Sequence, residues 1–154
     1  MTAVHASSMV PDPRRPLKQR HLWLIPGLAV AVYANSVATA HGLGLVPLLA
    51  FGILPHLSVL VGLGQPRTRG QLAPRAVALF NTMHHPVVPL ALLGVAVTGL
   101  LPPFWLVGAL AWLSHIVVDW ALGDGLRSAD GFLLRRFGRI TGIGPEAVPV
   151  GQER

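Results

Sequence analysis

The chain has 154 residues, one domain's worth, with 52% hydrophobic residues, only 12% charged and a formal net charge of +6. So apolar a composition, with a mean hydropathy of +0.57, excludes a disordered polar tail. It also argues against a soluble globule, which typically has about 25% charged residues. Cysteine is absent, which excludes disulfides, iron–sulfur ligation and thiol catalysis.

Charge is missing from two long blocks, between Arg20 and Arg67 and between Arg75 and Asp119. A membrane-spanning helix needs about 20 apolar residues, so each block is long enough for two spans and a tight turn. Residues 1–21 form a polar, basic segment ending in Arg14, Arg15, Lys18 and Arg20. It is read as retained, because no small-residue cleavage site follows. Span 1 is predicted over 22–40, with Trp23 near its start, and the turn His41-Gly42-Leu43-Gly44 reverses the chain. Span 2 covers 45–64 and leads into a basic loop with Arg67, Arg69 and Arg75. Span 3 covers 76–100. Leu101-Pro102-Pro103 makes the next turn, because paired prolines cannot continue a helix. Span 4 covers 104–122, with Trp105 and Trp120 near its ends as interfacial anchors. The tail, 123–154, holds an amphipathic segment at about 130–141, where Phe132, Leu133, Phe137 and Ile140 alternate with Arg135, Arg136 and Arg139. It reads as an interfacial helix that Asp130 is placed to cap.

The fold class expected is therefore all-α, an integral membrane four-helix bundle of two helical hairpins. Lys and Arg are confined to the N-terminal segment, the loop after span 2 and the tail, which puts both termini in the cytoplasm. These cations sit at span ends with no interleaved aromatics. The lipid bilayer, and not nucleic acid, is the expected partner, and the four spans enclose a small pocket alone or pair as a homo-oligomer.

Ionisable residues inside spans are costly and mark sites. They are His56 in span 2, His84 and His85 in span 3, and His115 and Asp119 in span 4, with Asn81 beside them. At a helix rise of about 1.5 Å per residue, His56, His84 and His115 fall in one layer about 10–12 Å from the cytoplasmic ends. Asp119 and Asn81 fall in a second layer nearer the cytoplasm. His115 and Asp119 share a face at i, i+4, and Asn81 shares a face with His84 and His85. Pro55, Pro86 and Pro89 free carbonyls at the same level, which fits a polar pocket. Imidazoles with a carboxylate suit a divalent metal such as zinc, iron or manganese, with His56, His84, His115 and Asp119 as ligands and Asn81 and His85 in support.

Several functions use such a layer. One is a membrane enzyme that employs the metal to hydrolyse or rearrange a lipid-soluble substrate. Another is an ion or solute transporter with a polar relay, which only Asn35, Ser36 and Thr39 would extend to the far side. A third is a structural or interaction subunit whose polar groups only join helices. Bis-histidine haem ligation is a further reading. A serine nucleophile at Ser58 or Ser114 lacks the elbow sequence such a site requires.

At these same residues the chain resembles a known family. Phe80-Asn81-x-x-His84 with Pro89 looks like the family's span-3 signature, and His115-x-x-x-Asp119-x-x-x-Gly123-x-Gly125-Leu126 like its span-4 signature. Leu54-Pro55-His56-Leu57-Ser58 resembles its span-2 segment, and Gly131-Phe132 with Gly138-Arg139-Ile140 resembles its tail. The family is domain of unknown function 4260, small bacterial integral membrane proteins, and the resemblance covers about 22–142. It implies a bacterial inner-membrane location and carries over Asn81, His84, His115 and Asp119. His85 stands where the family pattern has a small polar residue. His56 stands where it has an aspartate, an exchange that keeps a metal-ligand type and changes the charge of the site. The family brings no established activity.

Overall fold

A computed structural model describes residues 22–135 and 138–139. The basic N-terminal segment, and most of the tail, lie outside the described residues. Five α-helices follow in order: α1 (Leu24–Ala40), α2 (Val46–Leu57), α3 (Pro74–Met83), α4 (Val87–Ala96) and α5 (Pro103–Leu122). A 3₁₀ turn, Ser58–Gly62, extends α2. A two-residue antiparallel ladder, β1 (Leu134–Arg135) with β2 (Gly138–Arg139), closes the described chain.

Proline starts three of these helices. Pro47, Pro74 and Pro103 lie in the first turns of α2, α3 and α5, where a missing N–H costs nothing. Pro103 therefore opens α5, whereas the sequence pattern assigns it to the preceding turn. Pro55, inside α2, removes the bond to Phe51 one turn earlier. The chain tightens just after it, and the Ser58 hydroxyl donates to the Pro55 carbonyl at 2.6 Å.

The predicted third span is two helices. It breaks at His84-His85-Pro86, between α3 and α4. Pro86 has no N–H for the Thr82 carbonyl, and the His85 N–H bonds to that carbonyl instead, in a 3₁₀ turn. The Val87 N–H, which a continuous helix would give to Met83, goes to His85 Nδ1 at 3.3 Å. The Met83 carbonyl is satisfied from α5, by the Trp112 indole N–H at 2.7 Å. The break thus leaves these backbone groups bonded, which a low-dielectric setting demands.

α5 is the hub. It packs against α1, α2 and α4, while α3 lies on the 3₁₀ turn. The main core gathers Phe51, Ala111, Trp112, Ile116 and Trp120, with Trp23, Met83 and Leu92 against it. Trp120 is buried and meets Trp23 edge-to-face at 6.1 Å, so it is a core residue and not an interfacial anchor. Trp105 is the exposed one. At Gly108 a Cβ would lie within 2.6 Å of the Phe51 ring, so glycine there is what lets α2 and α5 approach. A second cluster, Leu72, Ala76, Val77 and Phe80, joins α3 to Val59 of the 3₁₀ turn.

By length and composition, two helical stretches can cross a membrane: Pro74–Ala96, bent at the break, and Pro103–Leu122. α1 and the α2 segment are apolar but shorter. The expected amphipathic segment at about 130–141 lies partly outside the described residues. Residues 134–135 and 138–139 are extended and paired, and the Leu134 N–H donates to Leu126. Apolar and basic residues alternating over so short a stretch fit a small hairpin as well as a helix.

Candidate metal centre

Three helices and the α3–α4 break bring four side chains to one point. His115 and Asp119 come from one face of α5, His56 from the end of α2, and His84 from the end of α3. One ligand atom of each lies within 4.8 Å of the others. Asp119 Oδ2 is 3.4 Å from His84 Nε2 and 3.2 Å from His115 Nε2. The His56 ring meets the His115 ring edge-on at 4.5 Å. His84 and Asp119 are buried, His115 is half-buried, and His56 stands exposed at the mouth.

The tautomer of His84 follows from its hydrogen bond. Its Nδ1 lies 2.9 Å from the Phe80 carbonyl, which can only accept, so Nδ1 carries the proton. Nε2 then presents a lone pair to the cluster. This orienting bond to a carbonyl is what metal-ligating histidines typically have. The Phe80 ring also stacks on the imidazole at 3.8 Å, which fixes its plane. His84 Nε2, His115 Nε2 and Asp119 Oδ2 are all buried, and none has a hydrogen-bond partner of acceptable geometry. Their separations are of hydrogen-bond length, but their directions are not. Four ligands about 2.1 Å from a tetrahedral centre stand about 3.4 Å apart. The separations of 3.2 and 3.4 Å match that spacing.

A family model described as a domain of unknown function (DUF4260) matches residues 21–140. The chain belongs to this family. No curated protein and no solved structure matches it.

In this DUF4260 chain the remaining signature residues build the frame around the cluster. α5 ends one turn after Asp119, at Gly123, whose φ of 91° is left-handed. Gly123 N–H reaches the Trp120 carbonyl and Asp124 N–H the Asp119 carbonyl, a Schellman end. The chain then crosses α3, where Asn81 grips it. Asn81 Nδ2 donates to the Arg127 carbonyl and its Oδ1 accepts the Arg127 N–H, both at 2.7 Å. Asn81, expected as a supporting polar residue, thus spends both its amide groups on a backbone. The Arg127 guanidinium pairs with Asp124 and lies over the Phe80 ring at 5.6 Å. Farther on, Gly131 accepts the Leu72 N–H at 2.8 Å, and Gln71 donates to the Asp130 carbonyl. No helix begins at Asp130. Gly131 has a φ of 88°, and a Cβ there would collide with the Leu72 carbonyl.

His85 leaves the cluster. It is exposed, and its Nδ1 caps α4 through Val87, so His84 alone of the adjacent pair faces the site. Ser58 and Ser114 give their hydroxyl protons to the carbonyls of Pro55 and Gly27, and neither is poised as a nucleophile. Phe80 enters the sequence pattern only as part of the family signature, and Trp112 not at all. Phe80 precedes His84 by one turn, the spacing at which a helical carbonyl meets a histidine Nδ1. No local signal joins Trp112 to Met83.

Proposed function

We propose that the chain is a multi-pass membrane protein holding a divalent metal at His56, His84, His115 and Asp119, and that this metal serves an enzyme acting on a lipid-soluble substrate. The observation that carries the reading is the convergence of three buried ligand atoms, His84 Nε2, His115 Nε2 and Asp119 Oδ2, that make no well-directed hydrogen bond. With both imidazole lone pairs turned inward, these atoms would repel one another in a low dielectric; a cation at their centre would satisfy all three. The nitrogen and oxygen set suits zinc, iron or manganese. A metal so held supplies Lewis acidity for hydrolysis or rearrangement of an ester or phosphoester. His56 is the most exposed of the four ligands.

The membrane assignment rests on the outer surface. Leu28, Val32, Leu49, Ile53, Leu90 and Leu100 are among many large apolar side chains exposed there, far more than a water-facing protein tolerates. With four spans, the loop carrying Arg67 and Arg69 lies on the cytoplasmic side with both termini, in a bacterial inner membrane. The transport alternative draws nothing from Asn35, Ser36 and Thr39. All three are exposed on α1, and the two hydroxyls bond back to their own helix.

Metal analysis of the purified protein tests the reading. The wild type should carry about one equivalent of metal per chain, and a His115→Ala, Asp119→Ala variant about a tenth of that or less. Equally low metal in both sinks the proposal. The lack of native cysteine makes the topology test clean. His41→Cys should react with an impermeant maleimide on intact cells, and Pro66→Cys only after lysis. The reverse pattern contradicts the orientation.

A further inference from the structure

α1 and α2 both lie on α5 and make little contact with each other. A cavity of about 330 Å³ lies between them, lined by Ala31 of α1, Leu48 and Gly52 of α2, and Ala111, Ser114 and His115 of α5. Two columns of side chains set its course. Leu48, Gly52 and His56 follow one another at i, i+4 and i+8 on α2, as Ala111, His115 and Asp119 do on α5. Gly52 and Ala111 thus stand one turn, about 6 Å, from His56 and His115. The space exists because these two positions, and Ala31 across from them, are small. At Gly52 no atom lies within 4 Å of where a Cβ would stand. Ser114 has its hydroxyl committed to the Gly27 carbonyl at 2.8 Å, so the polar group that links this wall to the cluster is His115. Neighbouring Val32, Leu49 and Ile53 are exposed, so the mouth opens through an apolar exterior.

We propose that this groove admits one slender hydrocarbon chain of a lipid substrate sideways from the bilayer and brings its oxygen-bearing end to the metal at His115. The proposal rests on the metal reading above and adds the substrate class: a molecule with a single linear apolar chain and a metal-binding head. The groove wall, which Leu48 and Val118 complete, offers no Asp, Glu, Lys or Arg to hold a water-soluble substrate, and Ala31, Gly52 and Ala111 leave it open. The column geometry ties the two ends together, since the same helix faces that carry Gly52 and Ala111 carry the ligands one turn later.

The test uses the purified full chain in one detergent, loaded with cobalt(II), whose visible bands report a change of ligand. Acetohydroxamate and decanohydroxamate share a metal-binding head and differ in chain length. Each is titrated into the wild type, Gly52→Phe and Gly94→Phe. Gly94 is an exposed glycine of α4 that also has open space at its Cβ and does not line the groove. Decanohydroxamate affinity should fall about tenfold or more in Gly52→Phe, where the ring occupies the groove. It should stay within about twofold in Gly94→Phe, and acetohydroxamate within about twofold in all three proteins. Partition into the micelle is common to the three and cancels. Equal decanohydroxamate affinity in wild type and Gly52→Phe overturns the groove and leaves the metal reading standing. Failure of the wild type to take up cobalt overturns the metal reading and the groove together. Should Gly52→Phe not load cobalt, Gly52→Val takes its place, with an expected loss of about threefold and the same overturning result.

Discussion

The two ends of the helix bundle are built on different principles. At the end that holds His56, His84, His115 and Asp119, almost every position is specified by a hydrogen bond. Asn81 grips Arg127, Leu72 donates to Gly131, Gly123 closes α5 and Trp112 closes the α3–α4 break. At the opposite end, beside the turns at His41–Gly44 and Thr98–Pro102, Leu45, Val46, Val97 and Leu100 are exposed, and the hydrogen bonds are those of the turns themselves. Placement of a metal ligand within a few tenths of an ångström needs the first kind of structure. An end of exposed apolar side chains needs no such placement. The lesson is that the helices are closely determined around the candidate metal centre and loosely determined at the apolar far end.

That contrast is exposed to mutation. The largest stability effect should come from Gly131→Ala. It places a side chain at a φ of 88° and drives a Cβ into the Leu72 carbonyl. A loss of about 3 kcal/mol is expected, read as a lowered unfolding midpoint, with weaker metal retention because the loop over α3 is displaced. Asn81→Ala comes next. It removes both bonds to Arg127 and should cost about 2 kcal/mol. Metal should still bind, since Asn81 touches none of the four ligands; loss of all metal would show that Asn81 acts at the site after all. The smallest effect belongs to the far end. Leu100 is 79% exposed, and Leu100→Ala should change stability by no more than about 0.5 kcal/mol and metal content not at all. A large loss there would break the comparison between the two ends.

Much of this architecture is legible in the chain itself. Two uncharged blocks, with glycines and prolines at their centres, place α1, α2 and α5 within a few residues. The four cluster residues can be found from depth along each helix together with the i, i+4 spacing of His115 and Asp119. What hydropathy cannot see is a break inside an apolar run. Val87 and Met83 are as apolar as a continuous span requires, and the groups that close the break, His85 and Trp112, act through single hydrogen bonds. Depth alone does not show what Asn81 holds. It lies near the ligands in height, but its partner is a backbone 46 positions away. In the tail, residues 134–135 and 138–139 are extended where the sequence suggested a helix, because four apolar residues over so few positions do not separate helix from strand. Depth along the helix does not separate His84 from His85, although the family pattern carries over only His84. The Phe80 carbonyl decides between them by fixing the proton on His84 Nδ1.

The central claim is that His56, His84, His115 and Asp119 ligate one metal ion. X-ray absorption at the edge of the metal bound to the purified chain tests it most directly. The account predicts multiple-scattering from about three imidazoles plus one or more oxygens at about 2.0–2.2 Å, and the loss of about one imidazole in His84→Ala. An oxygen-only shell, or an imidazole count untouched by His84→Ala, would contradict it.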